Sequence, residues 1–345
     1  MSAVELLPAD QARPGNPEWH KLRREGISAS EIAAVLGLSP WDSPFSLYWR
    51  KVNGWDTPDN EYMSNGRRVE PVVAEWWADE NDPHENLAVV RAGLYAHPER
   101  PWQLATPDRL IYQACPGCDG SGIILDPAIG EGMCWDCRDR DDTPLAVLEC
   151  KWTGSWDGWG DPGTDDIPVY YRAQLLWQID VLGVDEGHLA MLGPGGFRAY
   201  GPIRRDEKDL TVMREAARRL LARIDAGDPP DVDEHSATLA TVKRLHPDLV
   251  DDEAEISAAT AAGYRRARAL KKAAERLCAS FEARLRTEMG AARVAVHDGV
   301  KVASRSIYDT TRIDTTRLRA DHPEVAEAYA ATSTTDRLTP ARAKK

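Results

Sequence analysis

The chain has 345 residues, a hydrophobic fraction of 42% and a formal net charge of −13, enough for one large soluble domain or two ordinary ones. The acidic balance excludes a surface coated in basic residues for duplex binding, although a site that gathers carboxylates needs only a local basic lining. No apolar run approaches the roughly 20 residues that span a bilayer, and the opening Met-Ser-Ala-Val-Glu-Leu-Leu-Pro lacks the basic start and apolar core of a signal peptide, so a cytoplasmic protein with no membrane partner is expected.

Residues 1–18 read as a polar lead-in. Ser28 followed by Glu31 makes a capping box, and Ile32, Val35 and Leu36 give the short helix after it an apolar stripe that Gly37 ends. A second helix starts at Ser43-Pro44 and ends near Asn53-Gly54. A third covers 66–78, where Val69, Val72, Val73, Trp76 and Trp77 recur at helical spacing and predict one buried face. Glu70 sits beside that stripe, as a carboxylate favoured by the helix dipole or as a metal ligand. Strands are expected near 88–95, 101–106, 109–112 and 145–151, then a helix over 168–182 with Pro168 at its start, then strands at about 187–192 and 197–203. Helices alternating with a small mixed sheet give an α/β (α+β) core.

At Asp206 the character changes to stretches rich in Ala, Arg, Glu and Leu, which predict helices over 206–226 and 253–289. The second carries the basic run Tyr264-Arg-Arg-Ala-Arg-Ala-Leu-Lys-Lys272, a solvated face or a contact for DNA or a partner. A hairpin over 293–307 and a helical tail over 322–329 follow, and the basic end 341–345 is expected to be disordered. The domains expected are a core over 1–205, an insert over 113–142 within it, and a mainly helical region over 206–345. The twelve tryptophans suit core packing, and some could stack on bases.

The chemistry concentrates in two stretches. Leu145 to Cys150 is a short apolar run that predicts a buried strand. A strand ending Glu149-Cys-Lys151 puts both charged side chains on one face, because side chains alternate with period two. Asp108 on a neighbouring strand can meet Glu149 and hold a divalent cation between oxygens, with Lys151 beside an attacking water or a phosphate, which is the chemistry of metal-assisted phosphodiester hydrolysis.

Between the two stretches lie Cys115-Pro-Gly-Cys118 and Cys134-Trp-Asp-Cys137, two CxxC pairs 15 residues apart. That spacing suits one closed tetrahedral Zn²⁺ site of the structural kind; an iron–sulfur cluster uses the same four thiolates. The first half, through Gly122, resembles one repeat of the DnaJ cysteine-rich zinc module. Cys150 and Cys278 read as plain buried thiols.

Five blocks together carry a wider resemblance. They are Trp19-His-Lys-Leu-Arg-Arg-Glu-Gly-Ile-Ser-Ala-Ser-Glu31, Gly66-Arg-Arg-Val-Glu-Pro71, Ala105-Thr-Pro-Asp-Arg109, Leu148-Glu-Cys-Lys151 and Tyr170-Tyr-Arg-Ala-Gln-Leu-Leu-Trp-Gln178. In this order, over about 18–205, they resemble the YqaJ-like viral recombinases, the lambda-type exonucleases of the PD-(D/E)xK nuclease superfamily. The resemblance implies a PD-(D/E)xK core and an exonuclease using two Mg²⁺ (or Mn²⁺) to degrade one strand of duplex DNA from a 5′ end. It further implies phage-type recombination beside a single-strand annealing protein, and a ring-shaped homotrimer. Carried onto this chain, Glu70, Asp108, Glu149 and the Cys150 backbone carbonyl are the metal ligands. Lys151 is the catalytic lysine, Gln174 positions it or the DNA, and Arg23 and Ser30 hold a terminal 5′-phosphate, a guanidinium and a hydroxyl near a helix start being a natural anion site. The cysteine insert departs from the family pattern. The competing readings are a non-catalytic DNA- or protein-binding factor on the same fold, and an endonuclease or single-strand nuclease on the same core.

Overall fold

The computed structural model describes residues 2–57, 60–82, 86–115, 123–126, 130–133, 143–333 and 335–341. The elements begin with β1 (Val4–Leu7), α1 (Pro17–Glu25), β2 (Ile27–Ser28), a 3-10 turn (Ala29–Glu31), α2 (Ile32–Val35), α3 (Pro44–Asn53) and α4 (Glu61–Asn81). Strands β3 (Leu87–Arg91), β4 (Leu94–His97), β5 (Arg100–Ala105), β6 (Arg109–Gln113), β7 (Ile123–Asp126), β8 (Gly130–Met133) and β9 (Ala146–Trp152) follow. Then come α5 (Val169–Leu182), β10 (Glu186–Gly193), β11 (Gly196–Arg204), α6 (Glu207–Ala226) and α7 (Ser236–Leu245). The last elements are α8 (Ala258–Met289), β12 (Val294–His297), β13 (Val300–Ser304), α9 (Thr315–Asp321) and α10 (Pro323–Ala328). The chain divides into two units, residues 1–247 and 248–345.

The larger sheet of the first unit runs β11-β10-β9-β6-β3, with β9 parallel to β10 and the other neighbours antiparallel. β9 lies in its middle and is covered on both faces, which is why its sequence is nearly continuously apolar. Alternation assigns the faces. Ala146, Leu148 and Cys150 pack with Val73, Ala74 and Trp77 of α4, whereas Val147 packs with Leu175 and Ile179 of α5. Gly187 lets that layer close, since a Cβ there would stand 2.8 Å from Val147 Cγ2.

The second sheet runs β1-β4-β5-β2. α5 contacts strands of both sheets, and every residue from Leu175 to Leu182 is buried. Trp177 is fully enclosed, its Nε1 donating to the carbonyls of Ile27 and Leu104 at 3.2 Å each. A helix apolar on all sides belongs in an interior. Its one acid there, Asp180, accepts from Gln103 (2.7 Å), Arg100 (3.1 Å), Arg205 (2.6 Å) and Arg214. Burial pushes Asp180 up, but the hydrogen bonds from Arg214 and Gln103 outweigh it and hold the carboxyl well below the usual range.

Several elements depart from the sequence reading. The lead-in contains β1 and the start of α1, whose cap is Asn16 accepting from Glu18 N at 3.0 Å, with Pro17 in the first turn. The single strand expected over 88–95 is two, in different sheets. Its break falls beside Gly93, where a Cβ would meet the Leu7 carbonyl oxygen at 2.2 Å, so the chain turns there against β1. α4 starts earlier than 66, capped by Asn60 accepting from Met63 N at 2.9 Å. Its buried residues are Val73, Ala74 and Trp77, while Val72 and Trp76 are exposed; Trp76 lies on the outer side, stacked on Phe197 at 5.1 Å. The compositional change at Asp206 does not coincide with the unit boundary. Leu210, Met213, Ala217 and Leu220 of α6 are part of the main core, and α7 is tied in by Ser43 Oγ and Thr238 Oγ1 at 2.6 Å.

Within residues 113–142, β7 and β8 pair antiparallel. Cys118, Cys134 and Cys137 lie outside the described residues. In the second unit α8 has no buried residue, so Cys278, expected to be buried, is exposed, and β12 and β13 form a hairpin turned at Asp298 and Gly299, whose φ values of 50° and 79° suit a two-residue turn. No helix among the described residues is long and apolar enough to cross a membrane.

Replacing Asp180 by alanine leaves three guanidinium groups without their shared acceptor, and breaking a buried pair in this way costs about 3–5 kcal/mol. Asp180→Ala should therefore lower the thermal unfolding midpoint by roughly 10 °C, read by calorimetry. Because the folded pKa is depressed, the stabilisation is complete above about pH 4 and is lost as the pH falls through the folded value. The variant's midpoint should show less of that acid dependence than the native chain's.

Candidate active site

β9 and α5 meet at Glu149. The strand's alternation turns Glu149 and Lys151 toward α5, and α5 answers with two amides one helical turn apart. Gln178 Nε2 donates to Glu149 Oε2 at 2.7 Å, and Gln174 Nε2 donates to Oε1, where the Lys151 ammonium also binds. Glu149 is only 3% exposed, so these donors replace the water it would otherwise need.

Asp108 arrives from the connection between β5 and β6. Its Oδ2 accepts the Cys150 N–H at 2.7 Å, which pins it to β9 beside Glu149. Burial first, and the Glu149 carboxylate second, push the Asp108 carboxyl well above its usual range. Burial acts against the Lys151 ammonium, yet Glu149 and Asp108 outweigh it and raise its pKa, so Lys151 is a fixed positive charge at neutral pH. The Cys150 thiol, buried on the α4 side of the strand, is pushed up by burial and by Asp108.

Glu70 comes from α4 and is held differently. Arg109 Nη1 donates to Glu70 Oε1 at 2.6 Å and to the Asp108 carbonyl at 2.7 Å. Glu70 is near enough to Asp108 to add to its upward shift, but its oxygen is engaged by Arg109. Among the described residues no three His, Cys, Asp or Glu side chains stand close enough together to hold a metal ion. The oxygen donor set of Asp108 and Glu149 still suits a hard divalent cation, and their mutual repulsion is what such a cation would relieve. Cys115, the one cysteine of the two CxxC pairs among the described residues, is buried just beyond β6.

Arg23 and Ser30 form a second group. Arg23 Nη2 donates to Ser28 Oγ and to Ser30 Oγ at 2.8 Å each, and the guanidinium lies 4.3 Å from the Trp19 ring centre. Both side-chain bonds go to hydroxyls rather than carboxylates, an arrangement suited to an anion. Beneath it, Lys51 Nζ donates to the Arg23 and Gly26 carbonyls at 2.9 and 2.6 Å and to Glu31 Oε2 at 3.0 Å. Burial pushes Glu31 up, but Lys51, Arg23 and Arg50 outweigh it and bring the carboxyl down to about 2. β2, which carries Ser28, accepts from Trp177, so α5 braces both groups.

The sequence reading named Arg23, Ser30, Glu70, Asp108, Glu149, Lys151 and Gln174. It missed Gln178, although an amide at i+4 from Gln174 was a usable signal, and Arg109, the neighbour of Asp108. It also missed the Glu31–Lys51 pair, where the capping box accounted for Glu31 and nothing in the sequence linked Lys51 to it.

The crowded carboxylates have a measurable consequence. A raised folded pKa means that the metal-free protein loses stability as the pH rises from about 4 through the Asp108 value. In EDTA, Asp108→Asn keeps an acceptor for the Cys150 N–H and removes the repulsion. Its unfolding midpoint should exceed the native one by a few degrees at pH 8 and match it at pH 4, as followed by circular dichroism.

Residues 18–185 match the YqaJ-like viral recombinase domain. Protein YqaJ of Bacillus subtilis (strain 168) is 24% identical over 334 residues, 94% of this chain and 93% of its own length. Among solved structures, an alkaline exonuclease (LHK-Exo) from Laribacter hongkongensis is similar over 67% of this chain and 99% of its own, with 17% identity and a TM-score of 0.42. A phage related exonuclease from Haemophilus somnus 129PT is similar over 60% and 96%, with 9% identity and a TM-score of 0.39. The segment that matches the YqaJ-like viral recombinase domain, 18–185, holds every site residue named above.

Proposed function

We propose that the chain is a metal-dependent deoxyribonuclease of the phage-recombination type, an exonuclease that hydrolyses phosphodiester bonds of duplex DNA from 5′ to 3′. The observation that supports this best is the convergence of Asp108, Glu149 and Lys151 on one point of β9 within a viral recombinase domain. Asp108, Glu149 and Glu70, with the Cys150 carbonyl, would hold Mg²⁺ or Mn²⁺; Glu70 is engaged by Arg109 and Glu149 by Lys151, so each would share or give up that contact to join them. When bound, such ions lower the pKa of water and neutralise charge on the phosphate.

The chain's own residues supply the positioning. Water attacks phosphorus, the bond from phosphorus to the 3′-oxygen breaks, the 3′-hydroxyl leaves with a proton, and the phosphate remains on the new 5′ end. Lys151 orients the water or takes its proton, or steadies a phosphate oxygen. Gln174 and Gln178 fix Glu149 so that its charge faces the reaction. Arg23 and Ser30 receive the terminal 5′-phosphate. Cys115, Cys118, Cys134 and Cys137 would hold one structural Zn²⁺ in a closed site. DNA ends as substrate, a single-strand annealing protein as partner and a ring-shaped homotrimer follow from the family resemblance alone.

Purified protein with Mg²⁺ and 5′-phosphorylated duplex should release mononucleotides, and Asp108→Ala and Lys151→Ala should each reduce that rate by more than about 10³-fold, the loss expected when several kcal/mol of charge stabilisation vanish. Full activity in Asp108→Ala would remove this site from the chemistry. Arg23→Ala should slow digestion of 5′-phosphorylated ends roughly ten- to a hundredfold, the worth of a charge-assisted hydrogen bond, and leave 5′-hydroxyl ends nearly unchanged. Elemental analysis should find about one zinc per chain, since four thiolates fill one tetrahedral site; a brown protein containing iron would replace that assignment.

A further inference from the structure

The geometry points to a nucleobase-stacking platform beside Lys151, formed by Trp41, Tyr170 and Tyr171, that holds an unpaired base of the strand whose phosphate lies at the site. The inference rests on the nuclease reading above and adds what would touch the bases.

The rings form one connected group. Lys151 Nζ is 5.9 Å from the centre of Tyr171, Tyr171 is 4.5 Å from Tyr170, and Trp41 is 5.0 Å from Tyr170 and 6.1 Å from Tyr171. On the other side, Trp152, the residue after Lys151, lies 4.5 Å from Tyr62. Three separate parts of the chain thus deliver rings to the neighbourhood of one ammonium: the loop before α3, the first turn of α4, and the β9–α5 pair.

Exposure separates Trp41 from the core aromatics. Trp177, Trp77 and Trp19 are buried, whereas Trp41 is 64% exposed; Tyr170 and Tyr171 beside it are half-buried, Tyr171 resting on the main core. Scattered exposed apolar residues need no explanation. Trp41, however, is held in place by a loop that does not depend on burying it. Ser39 Oγ accepts from Trp41 N at 3.2 Å and from Asp42 N at 3.1 Å, and Ala33 O accepts from Leu38 N and Ser39 N at 2.8 and 3.1 Å. The Ser39 carbonyl lies 3.1 Å from His235 Nε2, and Asp42 binds Ser46 and Arg50. An indole presented on a fixed loop has little ordering left to lose on binding.

The neighbouring charge selects the occupant. A ligand that brings a phosphate to Lys151 and a flat apolar face to the adjoining rings is a nucleotide, and stacking accepts any base. A platform of this kind suits digestion without regard to sequence.

The test uses the full chain carrying Asp108→Asn, in EDTA, so that binding is read without turnover. The probe is a 5′-phosphorylated single-stranded oligonucleotide with 2-aminopurine, or an abasic residue, at one of its first three positions. Binding should change the 2-aminopurine fluorescence, and the abasic residue should weaken binding about tenfold. Adding Trp41→Ala should weaken binding of the intact probe about tenfold, remove the fluorescence change and abolish the penalty for the abasic residue. Trp41→Phe should restore most of the affinity and serves as the control for folding. Equal affinity and an equal fluorescence change with and without the Trp41 indole would overturn the platform, as would indifference of the parent chain to the abasic residue. Native protein with Mg²⁺ and duplex separates the two readings. No hydrolysis together with Trp41-dependent stacking removes the nuclease alone, and hydrolysis without that dependence removes the platform alone.

Discussion

A helix buried on every side must find a partner for each polar group it carries, and α5 meets that requirement at two points. At Gln178 the amide nitrogen finds Glu149 of β9, while its buried Oε1 has no partner among the described residues; at Asp180 the partners are a set of arginines from β5, α6 and the end of β11. The two residues lie two apart, so one turn of helix fixes the carboxylate of the candidate site and also locks α6 and the second sheet onto the core. The placement of Glu149 is for that reason a property of the whole first unit and not of a loop. A change that loosened α5 would move Gln174 and Gln178 together, and with them the oxygens of Glu149.

Sequence patterning went furthest where a local rule and the tertiary contacts agree. The apolar run ending in Glu149-Cys-Lys151 is legible as a covered strand because both of its faces are buried, and period two then assigns its charges to one side. Pro168 and Gly183 bracket α5 with ordinary start and stop chemistry, Gly183 taking a left-handed φ of 72°. The capping box of Ser28 and Glu31 is present, yet Glu31 also serves Lys51, a residue 20 positions on, and no local rule reports that second use. The strand break at Gly93 and the outward turn of Trp76 had the same cause. At Gly93 and Trp76 the neighbour is remote in sequence, Leu7 in one case and Phe197 in the other; among the described residues nothing covers Val72. α6 escaped for a different reason. Its stripe at 210, 213, 217 and 220 is visible in the sequence, but an amphipathic stripe does not say which core it covers.

The net charge of −13 is a poor guide to the local field. Each buried or half-buried cation of the site is matched to an acid in a particular way. Lys51 is sunk on Glu31 and backbone carbonyls, Lys151 is bound to Glu149, and Arg109 is bound to Glu70. Arg23 is the exception, since its side-chain hydrogen bonds go to Ser28 and Ser30 and the Glu31 charge reaches it only at second hand. On the proposed reading that difference bears on where a polyanion is received, because an arginine bridged to hydroxyls can take a phosphate without giving up an ion pair.

The same distinction separates the carboxylates. Amide donors orient a carboxylate without cancelling its charge, whereas a guanidinium orients and neutralises it together. Glu149 is oriented by two amides and paired with Lys151, and Asp108 is held by a backbone N–H, so two carboxylates are fixed side by side and Glu149 still pushes the Asp108 carboxyl up. Glu70 is neutralised by Arg109. On the proposed reading, Asp108 and Glu149 are the half of an ion site already fixed to β9, and Glu70, on α4, is the half brought to it. Arg109, released from Glu70, would remain anchored to the Asp108 carbonyl, next to the place where a phosphate must come. The repulsion that raises the Asp108 carboxyl lies between Asp108, pinned to the β9 backbone, and Glu149 of that same strand, where the arrival of a cation would relieve it.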